Sequence, residues 1–301
     1  MKSPQIQFPL SRLSDIQGRP VDFKLLERIP LTGGIHSWPL ELSPSVGDEQ
    51  PIILLDTETT GLSSEEDAII ELGLVKVLYS PSTKRITSIL NVMSLYEDPR
   101  RPIPQFITEL TGINDQMVSG QVIDNTLVYS WFDENPLIVA HNAAFDRPFF
   151  ENRFPELKGL SWACSANGIS WRALGFESIK LEYILMRLGW FYEGHRAATD
   201  CLAMAWLLHS IPEAFELLLT GAENSTVVIR AFNAPFEVKD HLKRRGYRWH
   251  DGAKTYPKHW WREVTEDDLP LEKSYLDDLY EFGSDTAQYE FIDASKRFKA
   301  Q

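Results

Sequence analysis

Three apolar runs that follow one another between residues 52 and 96 constrain the fold of this chain more than any other feature. Residues 52–55 are four large aliphatic side chains in a row, a pattern that predicts a short buried strand. Residues 68–79 and 85–96 are rich in residues that favour strands, and the polar segment SPSTK separates them. Two such runs around a short polar turn predict a β-hairpin directly after the buried strand.

The sequence from residue 97 to about residue 212 alternates between helical and strand patterns. Residues 137–140 and 161–165 predict short buried strands, and Asn114 is a plausible N-cap for the second of two short helices. The segment that ends near residue 211 has apolar residues at a helical spacing. A hairpin followed by alternating helices and strands predicts an α/β domain with a mixed sheet that helices cover.

Composition and charge exclude several classes of protein. No stretch approaches the roughly 18–20 apolar residues of a membrane span, and the N-terminus lacks the apolar core of a secretory signal. The two cysteines, Cys164 and Cys201, lie in apolar segments, as is typical of small buried side chains in a reducing compartment, so we expect a cytoplasmic protein. The net charge of −13 argues against a protein that simply coats nucleic acid.

Changes in composition divide the chain into three parts. Residues 1–50 contain two turns rich in Pro and Gly around one amphipathic stretch, which predicts a loosely packed N-terminal extension. The dense pattern that follows predicts a domain over residues 51–215. After the polar linker GAENST, residues 226–301 predict a small α+β module of β-α-β-β-α order and a tail.

The module contains a basic segment in this otherwise acidic chain. Between Glu237 and Arg262 the sequence has eight basic residues and three acids, a net charge of +5. Aromatic residues interleave with these cations, a combination that suits single-stranded nucleic acid, because cations bind phosphates and rings stack on bases. A module this small also needs large aromatic residues for its core, so both interpretations stay open. The aromatic residues are Tyr247, Trp249, Tyr256, Trp260 and Trp261.

Four acids stand at the ends of predicted strands or at the starts of predicted helices. Asp56 and Glu58 follow the first strand at positions i and i+2, so in extended backbone they project to one face. Asp146 follows a strand and begins a helix, as Pro148 just after it indicates. Asp200 falls in the first or second turn of another helix. The sequence therefore predicts four carboxylates at one end of the sheet.

Carboxylates gathered in this way repel one another unless a cation neutralises them. Hard divalent cations such as Mg²⁺ prefer oxygen ligands and often share carboxylates with substrate phosphates, and two such ions can promote phosphoryl transfer. His195 lies five residues before Asp200, ahead of the helix, and a His of near-neutral pKa suits deprotonation of a water. Each residue alone is typical of a solvated turn, a cap or a surface side chain; it is their combination that indicates function.

Five segments together resemble the DEDDh 3′–5′ exonucleases of the DnaQ-like group, to which the proofreading epsilon subunit of bacterial DNA polymerase III belongs. The resemblance covers about residues 51–212 and implies an RNase H-like fold with a mixed five-stranded sheet flanked by helices. It also implies two Mg²⁺ or Mn²⁺ ions bound by Asp56, Glu58, Asp146 and Asp200, with His195 as general base. The matching segments are DTETTGL (56–62), IIELG (69–73), ELTGI (109–113), AHNAAFD (140–146) and GHRAATD (194–200).

The same resemblance implies contacts to the 3′-terminal nucleotide of the substrate. Thr59 and Leu62 are expected beside this nucleotide, with Leu62 as an apolar wedge against its base. His141 and Asn142 are expected to line the same pocket. Each of these four residues could equally serve the fold.

The resemblance predicts removal of 5′-mononucleotides from the 3′ end of single-stranded nucleic acid, with DNA favoured, in repair or proofreading. One alternative is a ribonuclease or oligoribonuclease of the same family, because contacts at the 2′-position decide between DNA and RNA. Another is a polymerase-associated binding subunit. Residues 288–292 faintly resemble a sliding-clamp-binding peptide, and an ordinary strand is the competing interpretation.

Overall fold

A computed structural model describes residues 10–32, 36–252 and 256–299 of the chain. The chain divides into two compact units. The first unit is Met1–Leu219 together with Phe298–Gln301, and the second is Thr220–Arg297. Among the described residues no single helix is long and apolar enough to cross a membrane; Ala197–Ser210 and Pro212–Glu223 satisfy length and composition only as a pair, with a bend of 105° between them.

The first unit contains a six-stranded mixed sheet with the strand order β2-β5-β4-β3-β6-β7. Strands β3, β4 and β5 are antiparallel neighbours, as the predicted hairpin requires, whereas β6 and β7 run parallel to β3. The strands of this unit are β1 (Glu27–Arg28), β2 (Leu40–Glu41), β3 (Gln50–Thr59), β4 (Ile69–Ser80), β5 (Arg85–Tyr96), β6 (Leu137–Ala140), β7 (Trp162–Cys164) and β8 (Trp190–Phe191).

Helices cover the sheet, and two of them bring acidic residues to its central strands. Helix α5 packs its phenylalanines Phe149 and Phe150 against Ile53 and Leu55 of β3. Helix α7 packs against β3, β4 and β5. The helices of the first 223 residues are α1 (Leu13–Gly18), α2 (Gln105–Thr111), α3 (Asp115–Val118), α4 (Asn125–Tyr129), α5 (Ala143–Arg153), α6 (Leu181–Arg187), α7 (Ala197–Ser210) and α8 (Pro212–Glu223).

The predicted RNase H-like mixed sheet flanked by helices is confirmed, with two corrections. The sheet has six strands instead of five, because Leu40–Glu41 pairs with β5 at one edge. The N-terminal extension is also not loosely packed throughout. Ile29 and Leu31 are buried, and β1 pairs in parallel with β8. Two-residue strands carry too little periodicity to be recognised in a sequence.

The second unit is a four-stranded antiparallel sheet with the order β10-β11-β9-β12. Its elements begin in the order β-α-β-β-α and end with β12, which contains the segment 288–292 and pairs with β9. Its helices are α9 (Lys239–Arg245), α10 (Leu269–Leu279) and α11 (Gly283–Thr286), and its strands are β9 (Thr226–Ala231), β10 (Arg248–His250), β11 (His259–Thr265) and β12 (Ala287–Ile292).

Candidate active site

Strand β3 carries two of the predicted acids on one face. Ile53 and Leu55 point toward α5, so the alternation of the strand directs Asp56 and Glu58 to the opposite face. Asp56 lies opposite Gly73 of β4 in the sheet register. Both carboxylates are only partly exposed at the end of an otherwise buried strand.

Gly73 allows helix α7 to approach this face closely. A Cβ atom on Gly73 would lie 2.3 Å from the carbonyl carbon of Ala197 and 2.4 Å from the backbone nitrogen of Ala198. Only glycine leaves room for this contact, which places the first turn of α7, and Asp200 within it, against β4. Ligand oxygens of Asp56, Glu58 and Asp200 therefore all lie within 4.8 Å of one another. We call these three residues the carboxylate trio.

Hydrogen bonds fix the orientation of Asp200. The backbone N–H of Arg196 donates to Oδ2 of Asp200 at 3.0 Å. The hydroxyl of Tyr192 donates to Oδ1 at 3.0 Å. Asp200 is thus held by the start of its own helix and by the buried Tyr192, which the sequence did not indicate.

Asp146 lies in the first turn of α5 and is buried. Its Oδ1 accepts hydrogen bonds from the backbone N–H of Thr57 at 3.0 Å and from the Thr57 hydroxyl at 2.9 Å. The carboxyl group is therefore anchored to β3 between the two acids of the strand, and it is not within the 4.8 Å group of the trio. Its predicted role as a metal ligand stays a prediction.

Burial and mutual repulsion raise the pKa values of these four acids. Burial, with the charges of Asp146 and Asp200 next, raises the pKa of Asp56 well above its usual range. Burial and the Asp200 charge raise the pKa of Glu58 to about 8. Burial raises the pKa of Asp146 to about 7 despite the hydrogen bonds from Thr57.

The pKa of Asp200 is also raised, mainly by burial, although the Arg196 and Tyr192 hydrogen bonds and the neighbouring His195 oppose the rise. None of the four acids forms an ion pair with any residue that the structure describes. Three carboxylates that converge without a cation of the protein form an all-oxygen donor set, which fits a hard divalent cation.

Glu71 is a buried acid of the site that the sequence interpretation missed. Its carboxylate accepts two hydrogen bonds from the Arg196 guanidinium, at 3.1 and 3.2 Å, and one from the Ser94 hydroxyl at 2.6 Å. The backbone N–H of Ala197 donates to it at 3.2 Å, and Arg196 also donates to the Tyr96 hydroxyl. The sequence does contain an indication of this residue, since Glu71 is a charged side chain inside the otherwise apolar segment IIELG (69–73).

His195 lies immediately before Arg196, in the loop ahead of α7, as predicted. Its backbone has a φ of 63°, in the left-handed region that non-glycine residues rarely adopt. The side chain is exposed. Because Glu71 clamps Arg196, the loop that presents His195 is fixed to strand β4.

Leu62 projects from a turn that its neighbours hold rigidly. It is 87% exposed. The Thr59 hydroxyl donates to the Gly61 carbonyl at 2.6 Å. Asp67 accepts hydrogen bonds from the Thr60 hydroxyl at 3.0 Å and from Arg101 at 2.9 Å. Thr59 is itself buried, so the structure presents Leu62, more than Thr59, to an incoming ligand.

The ring of His141 is engaged within the protein. Its Nε2 donates to the Ile179 carbonyl at 2.8 Å, which leaves Nδ1 to accept from the Ser165 hydroxyl at 2.9 Å. Burial lowers the pKa of His141 to about 4, so the ring is neutral near pH 7. Asn142 is exposed and makes no side-chain cap to α5. The substrate contacts of Thr59, Leu62, His141 and Asn142 stay predictions.

The first unit matches the family model of the exonucleases named RNase_T over residues 53–208. Two similar curated proteins are PolC-type DNA polymerases III. That of Clostridium perfringens is 37% identical over 162 residues, which are 52% of this chain and 11% of the relative. That of Caldanaerobacter subterraneus is 36% identical over 164 residues, with the same two shares. The chain thus spans about a tenth of the length of these relatives.

Among solved structures, exonuclease X in complex with 5′ overhanging duplex DNA has 25% sequence identity and a TM-score of 0.42, over 56% of this chain and 92% of that one. A structure of exonuclease I has 15% identity and a TM-score of 0.49, over 78% of this chain and 68% of that one. Both similarities are too distant to assign any residue.

Proposed function

Because the chain belongs to the RNase_T family of exonucleases, we propose that it is a metal-dependent 3′–5′ exonuclease that removes 5′-mononucleotides from single-stranded nucleic acid. DNA is the favoured substrate and repair or proofreading the favoured role, since the similar curated proteins are DNA polymerases. The proposal includes a cytoplasmic location, because both cysteines are unpaired and buried.

One observation carries the proposal. The oxygens of Asp56, Glu58 and Asp200 lie within 4.8 Å of one another, and their pKa values are raised. A folded protein does not gain stability from such a cluster, since burying an uncompensated charge is unfavourable. Bound divalent cations would neutralise the cluster. Phosphodiester hydrolysis by this family is a reaction that such cations promote.

Each residue has a stated part in the reaction. Asp56, Glu58 and Asp200 supply ligand oxygens, and Asp146, held by Thr57, completes the acidic side of the site. When bound, divalent cations would neutralise the carboxylates and stabilise the charge that develops at the scissile phosphate. His195 accepts the proton of the attacking water at a ring nitrogen. The water oxygen bonds to phosphorus while the bond from phosphorus to the 3′-oxygen breaks, which releases a 5′-mononucleotide.

Leu62 positions the terminal base. The turn from Thr59 to Asp67 is hydrogen-bonded to itself and to Arg101, and it presents Leu62 to solvent. An apolar side chain held in this way can pack against the face of an unpaired base. This contact would favour a frayed or single-stranded 3′ end.

A single degradation assay tests the proposal. Single-stranded 20-nucleotide DNA and RNA, each labelled at the 5′ end, are incubated with the full chain and Mg²⁺ or Mn²⁺. We expect a ladder that shortens from the 3′ end and mononucleotide products, faster on DNA. Asp56→Asn should be inactive, and Asp133→Asn, which changes an exposed acid of the same unit, should behave as wild type. Shortening from the 5′ end, or equal activity of Asp56→Asn, would refute the proposal.

A further inference from the structure

The second unit presents a row of aromatic rings and lysines that its own core does not use. We propose that this row, the aromatic–lysine strip, binds single-stranded nucleic acid. The strip consists of Phe236, Lys239, Lys243 and Trp249, and the core residue Trp260 lies beneath it between Lys243 and Trp249. The inference rests on the proposed function only in taking the bound strand to be the substrate of the nuclease.

At one end of the strip an exposed ring lies under a lysine. Phe236 is 74% exposed, just ahead of helix α9. The Nζ atom of Lys239 lies 3.6 Å from the centroid of the Phe236 ring. One face of the ring therefore contacts a cation of the protein, while most of the ring remains open to a ligand.

At the other end a second exposed ring lies on the edge strand β10. Trp249 is 46% exposed, and its ring centroid lies 5.2 Å from that of Trp260. The Nζ atom of Lys243 lies 6.0 Å from the Trp260 ring. Lys239 and Lys243 are four residues apart on α9 and thus lie on one face of the helix. The two lysines join the aromatic ends into one continuous surface.

The interpretation that the aromatic residues serve the core holds for some rings only. Tyr247 and Trp260 are 3% and 7% exposed and belong to the hydrophobic core of the unit. Phe236 and Trp249 are not members of that core. The aromatic residues of this unit therefore have two different positions. Some rings stabilise its core, and others face solvent.

The cations of the unit separate in the same way. Arg230 pairs with Glu290, and both Arg245 and Arg262 pair with Glu272. Lys239, Lys243, Arg244 and Arg248 form no ion pair with any residue in the described part of the chain, so their charge is available to an anionic ligand.

The sequence that contains the strip is basic and the rest of the unit is acidic. Residues 236–262 have eight basic and three acidic side chains, whereas residues 263–297 have three basic and eleven acidic ones. The net charge of +5 over residues 236–262 therefore favours an anionic ligand at the strip.

Unpaired nucleotides fit these features better than any other occupant. Their bases offer open π-faces to Phe236 and Trp249, and their phosphates offer negative charge to the lysines. The bases of a duplex are already stacked on one another and cannot use exposed rings. Because the strip and the carboxylate trio are in one chain, even weak binding by the strip raises the effective concentration of substrate at the nuclease.

Binding measurements on the full chain test the inference. Fluorescence anisotropy with labelled 30-nucleotide dT and rU strands, in EDTA, reports affinity without turnover, and the two strands separate DNA from RNA as the source. We expect the double variant Phe236→Ala/Trp249→Ala to bind roughly 25 times more weakly, since each of the two stacked bases contributes on the order of fivefold. Trp249→Phe, which keeps a ring, should retain most of the affinity.

The lysines are tested through the salt dependence. The double variant Lys239→Glu/Lys243→Glu should weaken binding. The slope of log affinity against log salt concentration should become less steep by about 1.4, which is about 0.7 for each lost phosphate contact. The matched controls are Leu271→Ala and Lys273→Glu, which change an exposed apolar residue and an exposed cation on α10 and should bind as wild type.

The possible outcomes separate this inference from the proposed function. If the strip variants bind both strands as tightly as wild type, or if duplex DNA binds as tightly as single strands, the inference is wrong, and a protein partner becomes the better occupant. If the variants lose affinity but the wild-type chain degrades no substrate, the inference stands and the proposed function fails. If the chain is an active nuclease and the strip variants bind normally, the reverse holds.

Discussion

Glu272 in the second unit is a buried acid and the carboxylate trio in the first consists of partly buried acids, and their surroundings differ. Glu272 is 2% exposed, and its Oε2 forms ion pairs with the guanidinium groups of Arg245 at 3.2 Å and Arg262 at 2.9 Å. Asp56 and Glu58 have no such partner within the described residues, and the groups that influence them most are other acids. One buried charge is compensated by the protein; the others are not.

This difference distinguishes a structural acid from a functional one. A buried carboxylate with arginine partners can be tolerated, and removing either side of the pair is strongly destabilising. A cluster without partners is unfavourable in its charged form, so the carboxyls are neutralised by protons or, under the proposed function, by a bound divalent cation. Glu71 belongs to the first class although it lies beside the trio, because Arg196 pairs with it.

The largest expected effect comes from neutralising a member of the trio. Asp56→Asn should lower nuclease activity by at least 100-fold, since even outer partners of metal ligands are worth about 10- to 100-fold. In metal-free protein the melting temperature should stay equal or rise, because a buried carboxyl without an ion pair is replaced by a neutral amide. Activity assays and differential scanning calorimetry in EDTA measure both. A clearly lower melting temperature would place Asp56 in the structural class instead.

The same change at Glu272 should give the opposite pattern. Glu272→Gln leaves Arg245 and Arg262 without their anion and should destabilise the second unit by about 3 kcal/mol. Cleavage of a dinucleotide, which is too short to need a second binding surface, should be unaffected. Denaturant unfolding of the full chain measures the stability, and Asp278→Asn, an exposed acid on the same helix, is the control. Unchanged stability would remove the contrast with the trio.

A smaller effect follows from pH. The pKa values of Glu58 and Asp146 are about 8 and about 7 in the folded chain, above their values in the unfolded chain. At a pH between the unfolded and the folded pKa of each group, the folded state therefore binds more protons than the unfolded state. The contribution of these groups to the free energy of unfolding is fully present at low pH and is lost as pH rises through the folded pKa values. Between pH 6.5 and 9 in EDTA, the unfolding free energy of the nuclease unit should fall by at least about 1.4 kcal/mol, the equivalent of one pKa unit.

Mn²⁺ should abolish this fall, because metal binding to deprotonated carboxylates strengthens as pH rises. The double variant Asp56→Asn/Glu58→Gln should show a weaker pH dependence than wild type in EDTA. Calorimetric unfolding at a series of pH values supplies both comparisons. A stability of the metal-free wild type that rises over this range would contradict the pKa directions.

The smallest effect concerns positioning. Arg196→Lys keeps the charge beside Glu71 but loses the two-pronged contact that fixes the His195 loop. We expect kcat to fall about tenfold with KM little changed, as for other positioning partners of metal sites. Arg153→Lys disrupts a similar contact to Glu97 and serves as the matched control. Equal losses in both variants would indicate general destabilisation in place of positioning.

Local sequence patterns predicted many of the strands and helices of the first unit. The hairpin was predicted at residues 68–79 and 85–96 and lies at Ile69–Ser80 and Arg85–Tyr96, because a polar turn between two apolar runs is a local signal. The Asn114 cap is confirmed by its hydrogen bond from the Met117 N–H at 3.2 Å. The acids of the trio were also found from short motifs, since each lies within a few residues of a strand end or helix start.

What the sequence could not supply depends on contacts between distant residues. Glu71 and Arg196 are 125 residues apart, so nothing local pairs them. Gly73 gave no sign that α7 would lie against it. The division of the aromatic residues into buried Tyr247 and exposed Trp249 likewise depends on tertiary packing, since Tyr247 belongs to the core of the unit and Trp249 lies on its edge strand β10.

Binding of Mn²⁺ to the metal-free chain tests most directly the claim that the carboxylate trio is uncompensated because it holds a divalent cation. Electron paramagnetic resonance of free Mn²⁺ at pH 8 counts the bound ions without reference to activity. We expect saturable binding by wild-type protein, loss of that binding in Asp56→Asn, and unchanged binding in Glu272→Gln. Wild-type protein that binds no Mn²⁺ at millimolar concentration, or that binds it no better than Asp56→Asn does, would show that the trio is not a cation site.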